Sequence, residues 1–291
     1  LAENGFPVTE SLDNALLGSR DKLAKAASTR KIWFNGDQPL QMGDRVVQKD
    51  YGATLRAIGA KGTTEFYKGA TASRVASYLK SVGGILEASD LAAYAPHEDT
   101  PISINYKGLD VYECPPNSQG FVMLQALNIL EGMNVRYMRH NSAPYLHAVT
   151  EALKLAFADR NRYVGDPKFV PPIPMRELLS KEYAARRRAL IDPDKAIAGE
   201  PPFGVISSST TSAAVDYAAP QAVPALDATP WTDGHTTYLA VVDKDRNMVS
   251  ITSSLLSGFG SGHVAKSDRF FLNNRMAYFS LEPDDVNVLK P

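Results

Sequence analysis

The stretch that most limits how this chain can fold runs from Asp233 to Ser254 and begins Asp233-Gly-His-Thr-Thr-Tyr-Leu-Ala-Val-Val242. From Thr236 onward the side chains alternate with period two. Tyr238, Ala240 and Val242 fall on one face, Thr237, Leu239 and Val241 on the other. Asp243-Lys-Asp-Arg-Asn247 supplies polar turn chemistry, and Met248 to Ser254 reads as the returning strand. The pattern predicts a β-hairpin whose first strand opens on a threonine. Strand propensity alone accounts for a Thr-Thr pair there. A backbone cut between His235 and Thr236 would give it a second meaning. Thr236 would then carry a free α-amine beside its own hydroxyl. With an ordinary pKa of about 7.7–8.0, that amine takes the hydroxyl proton near neutral pH and activates a poor nucleophile.

Composition narrows the function classes. At 291 residues the chain can bury one large core or two modest ones, and 44% hydrophobic with 22% charged residues is a globular balance. The 31 basic residues against 32 acidic ones leave a net charge of -1, so no nucleic-acid-binding field is indicated. The single cysteine, Cys114, excludes an intrachain disulfide framework and a cysteine metal cage, and leaves the compartment open. No apolar run is long enough for a transmembrane helix, and no signal peptide is visible. The chain starts at Leu1 and stops at Pro291 shortly after a strand-like segment, so both ends are expected to be interruptions.

Thr9 is placed to cap an amphipathic run reaching about Ala27. The 33–40 stretch reads as loop and Gly43-Asp44 as a turn. Asp50 to Ile58 and Thr64 to Val82 read as helices, the second ended by Gly83-Gly84. Ser89 to Tyr94 reads as a capped short helix, and Ile102–Tyr106 with Leu109–Glu113 as a hairpin about Lys107-Gly108. A breaker-rich loop, Cys114 to Gly120, leads into a helix from Phe121 to Leu130, and the longest helix runs from Ala143 to Val164. On it, His147 and Glu151 are i,i+4 neighbours and Glu151 and Lys154 i,i+3 neighbours. They are expected to be helix-surface pairs worth a few tenths of a kcal/mol each, since no third ligand at suitable spacing makes a metal site. Lys181 to Ile191 reads as a basic helix with a solvated face. From about Asp194 to Asp233, Pro, Ala, Ser and Thr dominate without periodicity, which predicts a mobile linker; a plain interdomain connector has the same composition.

Three ordered motifs, Thr236-Thr-Tyr-Leu-Ala-Val-Val-Asp-Lys-Asp245, Gly258-Phe-Gly-Ser-Gly262 and Leu272-Asn-Asn-Arg-Met276, resemble the start of the small subunit of gamma-glutamyltranspeptidases. These are N-terminal nucleophile hydrolases, which cut themselves and use the new N-terminal threonine. Upstream, Phe66-Tyr-Lys-Gly69, Gly83-Gly84 with Asp90-Leu-Ala-Ala-Tyr94, Pro115-Pro116, Leu127-Asn-Ile-Leu-Glu-Gly132 and His147 through Arg160 resemble the large subunit. The resemblance implies that 1–193 is the latter part of a large-subunit region. It makes 194–235 a linker before the cleavage site and 236–291 the start of a small-subunit region. It also implies an α+β fold, an incomplete four-layer αββα sandwich; unaided, the sequence gives helices first and strands concentrated after Thr236.

By the same resemblance, Thr236 is the catalytic nucleophile and its α-amine the general base, with His235 on the leaving side of the cut. Thr237 is a polar neighbour. Ser254 stands where the family commonly has a second threonine, and keeps that hydroxyl's donor and acceptor capacity. Gly258 to Gly262 is neither a nucleophile elbow, since Phe259 and His263 occupy the glycine positions around Ser261, nor a dinucleotide fingerprint, since it lies between strands; its glycines suit a tight turn near the site. The substrate-binding set is Leu256, Asn274, Arg275 and Tyr278. Leu256, Arg275 and Tyr278 replace the asparagine, the glutamine or glutamate, and the aspartate with which the best-known members hold the glutamate α-amine. An ammonium about 4 Å from Arg275 would be repelled by about 4 kcal/mol at an effective dielectric of roughly 20, whereas a carboxylate would be attracted with bidentate geometry.

The resemblance thus implies an acyltransferase or amidohydrolase acting on gamma-glutamyl compounds such as glutathione, with water, an amino acid or a peptide as acceptor, and no metal or cofactor. Glutaryl-type acyl groups, as in cephalosporin acylases, are an alternative. The processed subunits would stay associated. A secreted or periplasmic location fits the family without being fixed by any signal here. The arginine for the substrate α-carboxylate is expected upstream of Leu1 and the oxyanion glycines downstream of Pro291. Losing oxyanion donors costs on the order of a hundredfold in rate, so the piece alone is expected to be inactive. An unprocessed precursor and a non-catalytic scaffold are the other readings left open.

Overall fold

The computed structural model describes residues 1–206, 234–266, 268–283 and 285–289. These fall into two compact units. The first joins residues 1–96 to 234–277; the second joins 97–206 to the described residues from 278 onward.

The first unit opens with β1 (Phe6–Pro7), α1 (Glu10–Gly18), α2 (Arg20–Ala24), α3 (Ala27–Trp33), β2 (Phe34–Asn35), β3 (Gln38–Pro39) and β4 (Arg45–Val46). There follow α4 (Lys49–Lys61), α5 (Thr63–Tyr67), α6 (Ala70–Ser81) and α7 (Ala88–Ala93). Thr9 caps α1 as expected, its hydroxyl accepting from Leu12 N. The run predicted to reach Ala27 instead breaks at Gly18-Ser19, where a glycine, the weakest helix former after proline, lets the chain turn. The helix predicted from Thr64 to Val82 also divides, at Lys68-Gly69. A Cβ on Gly69 would lie 2.8 Å from the Glu65 backbone, so only glycine lets α6 start so close to α5. For α7 the cap is Glu87 rather than Ser89, in a reciprocal capping box with Asp90. The 33–40 stretch read as loop holds the two-residue ladder of β2 and β3. Val8, Leu16, Leu23, Trp33 and Val46 form the core of this unit.

The second unit contains the predicted hairpin, β5 (Ile102–Tyr106) and β6 (Leu109–Glu113). Lys107 and Gly108 both take positive φ (50° and 88°), the two-residue turn that matches strand twist. Its helices are α8 (Gly120–Glu131), α9 (Ala143–Tyr163), α10 (Met175–Leu178) and α11 (Lys181–Arg188). Phe121, Val122 and Ile129 of α8 pack on Ala152, Leu155 and Ala156 of α9, with Leu178 and Tyr183 closing the core.

Two expectations fail here. Glu151 is buried, not on a helix surface: it pairs with Lys154 at 3.1 Å and accepts Ile197 N at 3.0 Å. Nor is α11 simply a solvated basic face, because Arg187 is buried against Asp159 of α9, 3.1 Å from Nε to Oδ2. Gln125 Nε2 and Gly204 N each donate to Asp159 at 2.7 Å, and Arg187 reaches the carbonyls of Leu155 and Pro202. These bonds tie down residues 197–204, the opening part of the stretch read as linker; the rest of it to Asp233 lies outside the described residues.

The chain returns to the first unit with β7 (Gly234–Val242) and β8 (Met248–Ser257), the expected hairpin, paired antiparallel from Thr236↔Ser254 to Val242↔Met248. Asp243 closes the turn, accepting from Asp245 N and Asn247 N at 2.9 Å each and from the Asn247 amide at 2.8 Å. Those bonds, the Asn247 side chain's first, hold its carboxyl below the usual range. Among the described residues the strands form four two-stranded antiparallel sheets, giving a mixed α and β chain. No described helix is long and apolar enough to cross a membrane.

Candidate active site

Thr236 sits near the head of β7, and antiparallel pairing sets it opposite Ser254 of β8. The two hydroxyls meet: Thr236 Oγ1 donates to Ser254 Oγ at 3.1 Å. Ser254 Oγ also accepts Leu256 N at 3.1 Å. Both of its acceptor sites are thereby used, leaving its own proton to donate. Thr236 is exposed and Ser254 half-buried, so a substrate carbonyl can approach the first while the second is held. The Thr236 nitrogen is here an ordinary amide bonded to His235; only as a free amine could it serve as a base. Thr237 pairs with Ser253 and points to the opposite face, so it does not join the hydroxyl pair.

The ladder slips just there. Gly234 pairs with Ser257 and Thr236 with Ser254, so β8 carries one residue more than β7 between the two pairs. That is a β-bulge, a feature that re-aims side chains beside functional sites. Within it Leu256 is buried and takes φ 83°, rare for a residue with a Cβ. Asn274 flanks the bulge: its Oδ1 accepts Ser257 N at 3.2 Å, its Nδ2 donates to Ser257 Oγ at 3.0 Å, and its own N–H donates to Leu255 O at 3.1 Å. Arg275 follows, exposed, with its N–H bonded to Asn273 Oδ1 at 3.0 Å. It opens a 3-10 turn, Arg275–Tyr278, whose last residue falls in the second unit. The structure therefore brings Thr236, Ser254, Leu256 and Asn274 into one hydrogen-bonded patch, with Arg275 next to Asn274 in the chain. Among the described residues no three His, Cys, Asp or Glu side chains are grouped to hold a metal ion.

The glycine loop that follows β8 is held by residues from far upstream that sequence reasoning passed over. Lys22 of α2 donates to Gly258 O, and Thr29 of α3 to Gly262 O at 2.7 Å. Tyr78 of α6 bridges Ser28 Oγ and His263 Nδ1, 3.0 Å from each. Phe259 and Phe271 pack on Trp33, with ring centroids 6.1 and 5.7 Å away. Below the loop, Asp268 is buried and accepts Arg74 at 2.5 Å and Thr54 Oγ1 at 3.1 Å. Gly260 has φ 54°, and a Cβ there would stand 2.2 Å from Leu272 O, which explains the glycine in chemical terms. None of these partners stands at a periodic spacing from the loop, so only the motif's glycines signalled a tight turn.

Comparison with known proteins gives the family. The family model described as gamma-glutamyltranspeptidase matches residues 1–291. A glutathione hydrolase proenzyme of Pseudomonas sp. (strain A14) is 36% identical over 282 residues, 96% of this chain and 45% of its own length. The crystal structure of cephalosporin acylase from Bacillus halodurans superposes with a TM-score of 0.81 at 33% identity, covering 100% of this chain and 49% of that one. That of Helicobacter pylori gamma-glutamyltranspeptidase gives a TM-score of 0.68 at 30% identity, covering 73% of this chain and 61% of that one. The chain thus spans about half the length of the curated relatives it matches. With its motifs in order and matched from end to end, the chain belongs to the gamma-glutamyltranspeptidase family.

Proposed function

We propose that this chain belongs to a self-processing amidohydrolase that cuts itself between His235 and Thr236. The new N-terminal threonine then attacks an acyl amide. Its hydroxyl oxygen bonds to the substrate carbonyl carbon while the hydroxyl proton passes to the α-amine. The C–N bond breaks as that proton goes to the leaving amine, and water, an amino acid or a peptide resolves the acyl-enzyme. The 3.1 Å hydroxyl pair of Thr236 and Ser254, at the strand head, is the observation that carries this reading. On this reading the two processed pieces remain associated, and the complete protein has the family's four-layer αββα sandwich.

The acyl group is proposed to be gamma-glutamyl, as in glutathione, or a glutaryl-type group without the α-amine. Arg275 favours the second, since a guanidinium repels an ammonium and pairs with a carboxylate. The likeness to a cephalosporin acylase over the whole chain supports it too. Intact-mass measurement of the complete protein tests the cut. Pieces ending at His235 and starting at Thr236 are expected in the wild type, and one uncut chain in Thr236→Ala. Normal amide hydrolysis by Thr236→Ala would overturn the assignment. Gamma-glutamyl and glutaryl anilides, compared with wild type and Arg275→Gln, test the acyl group. Arg275→Gln is expected to shift preference toward the gamma-glutamyl substrate; an unchanged preference for the free-amine substrate would remove Arg275 from the pocket.

A further inference from the structure

We infer that Asn274 is a positioning residue that sets the nucleophile through the backbone, and does not itself bind substrate. Its amide is clamped within the protein by one bond of each kind: Oδ1 takes Ser257 N, and Nδ2 goes to Ser257 Oγ. Its main-chain N–H holds Leu255 O. Asn274 therefore grips β8 on both sides of Leu256, the bulge residue with φ 83°. Leu255 and Ser257 are thus both held while Leu256 between them takes the left-handed conformation. The Leu255–Leu256 peptide unit, whose carbonyl the Asn274 N–H holds, presents its own N–H to Ser254 Oγ at 3.1 Å. Ser254 Oγ in turn receives Thr236 Oγ1. Ser257 Oγ closes the clip from the other side by donating to Gly260 O at 3.1 Å, tying it to the glycine loop.

The chain of causes runs from Asn274 to the Leu255–Leu256 peptide unit and Ser257, to the orientation of Ser254, and so to Thr236. Placement errors of about 1 Å near a reacting group can cost on the order of a hundredfold in rate. Turning the Asn274 amide wholly onto a substrate would leave Ser257 N without its partner.

The inference rests on Thr236 being the nucleophile, and the test separates the two. In the complete protein, Asn274→Ala is expected to slow both self-cleavage and kcat by on the order of tenfold, the worth of one to two hydrogen bonds. KM should stay within about twofold, because no substrate contact is lost. Asn274→Asp keeps the acceptor for Ser257 N and should recover part of kcat. Ser257→Ala should lower kcat similarly, and adding Asn274→Ala to it should cost little more, since both break one clip. If Asn274→Ala does not fold, Asn274→Asp and Ser257→Ala carry the same comparison. A raised KM with unchanged kcat, or fully additive losses, would overturn the inference. Activity retained by Thr236→Ala would instead overturn the nucleophile reading beneath it.

Discussion

Replacing Arg187 by methionine tests how the second unit is held together. Asp159 is fully buried and Arg187 nearly so, with their side chains 3.1 Å apart. The contact is an ion pair and not a hydrogen bond, since Arg187 Nε has no hydrogen-bond partner. Methionine keeps most of the apolar stem but strands the carboxylate with two neutral donors, Gln125 Nε2 and Gly204 N. Removing one member of a buried pair costs about 3–5 kcal/mol, and the two remaining donors point to the lower end. The carbonyl of Pro202 loses the Arg187 donor as well, at about 1 kcal/mol, while that of Leu155 keeps its place in the α9 ladder. The pH dependence has a definite sign. Burial, the largest influence, pushes the Asp159 carboxyl up, and Arg187 is the first influence opposing it. Without Arg187 it rises further. A carboxyl whose folded pKa is raised binds its proton more tightly in the folded state. Its stability contribution is therefore complete below the unfolded pKa of about 3.9 and is lost as pH rises through the folded value. Arg187→Met should thus be less destabilised at pH 5 than at pH 8. Amide exchange of α8 and α9 in the complete protein, corrected for intrinsic rates, reads the local opening free energy. A loss below about 1 kcal/mol at pH 8, or the same loss at both pH values, would refute the reasoning.

Ser254→Ala removes the acceptor of both Thr236 Oγ1 and Leu256 N. It should lower kcat by on the order of tenfold in an anilide assay, with Ser254→Thr restoring most of it. Gly260→Ala should destabilise by about 1–2 kcal/mol from the left-handed backbone alone, and more because its Cβ would meet Leu272 O at 2.2 Å; a lowered thermal midpoint checks this.

Local chemistry was legible in the sequence, and long-range bracing was not. Period-two alternation and a polar turn marked the hairpin after Thr236, and Lys107-Gly108 marked the turn of the other. Thr9, Gly108 and the α9 span were likewise readable from caps, turn residues and apolar spacing. Glu151 and Arg187 misled because helix spacing tells which residues are neighbours on a helix, not which side is covered. The covering segment, 197–204, has no periodicity to announce it. Gly69 showed a similar limit: the pattern from Thr64 to Val82 is helical, and only the close approach to Glu65 reveals the break. At the site, Thr236 and Ser254 were reached through resemblance. The Asn274–Ser257 clip and the bonds from Lys22 and Thr29 join residues that share no repeat.

The position of the bulge bears on how a cut could leave its product intact. Upstream of it, β7 has a single registered pair, Gly234↔Ser257; seven pairs, from Thr236↔Ser254 to Val242↔Met248, lie downstream. A break after His235 therefore frees the departing end from one pair and leaves the new N-terminus in a ladder that has lost nothing. The Asp243 turn and the Ser254–Leu256 contact are also downstream of the break. Thr236 would keep its place opposite Ser254 while gaining the conformational freedom of a terminal amine. If the wild type is cut as proposed and Thr236→Ala stays whole, amide exchange at Tyr238 to Val242 should be the same in both. Faster exchange there after cleavage would mean that the strand upstream of the bulge supports the site, and that cutting loosens the nucleophile instead of releasing it in place.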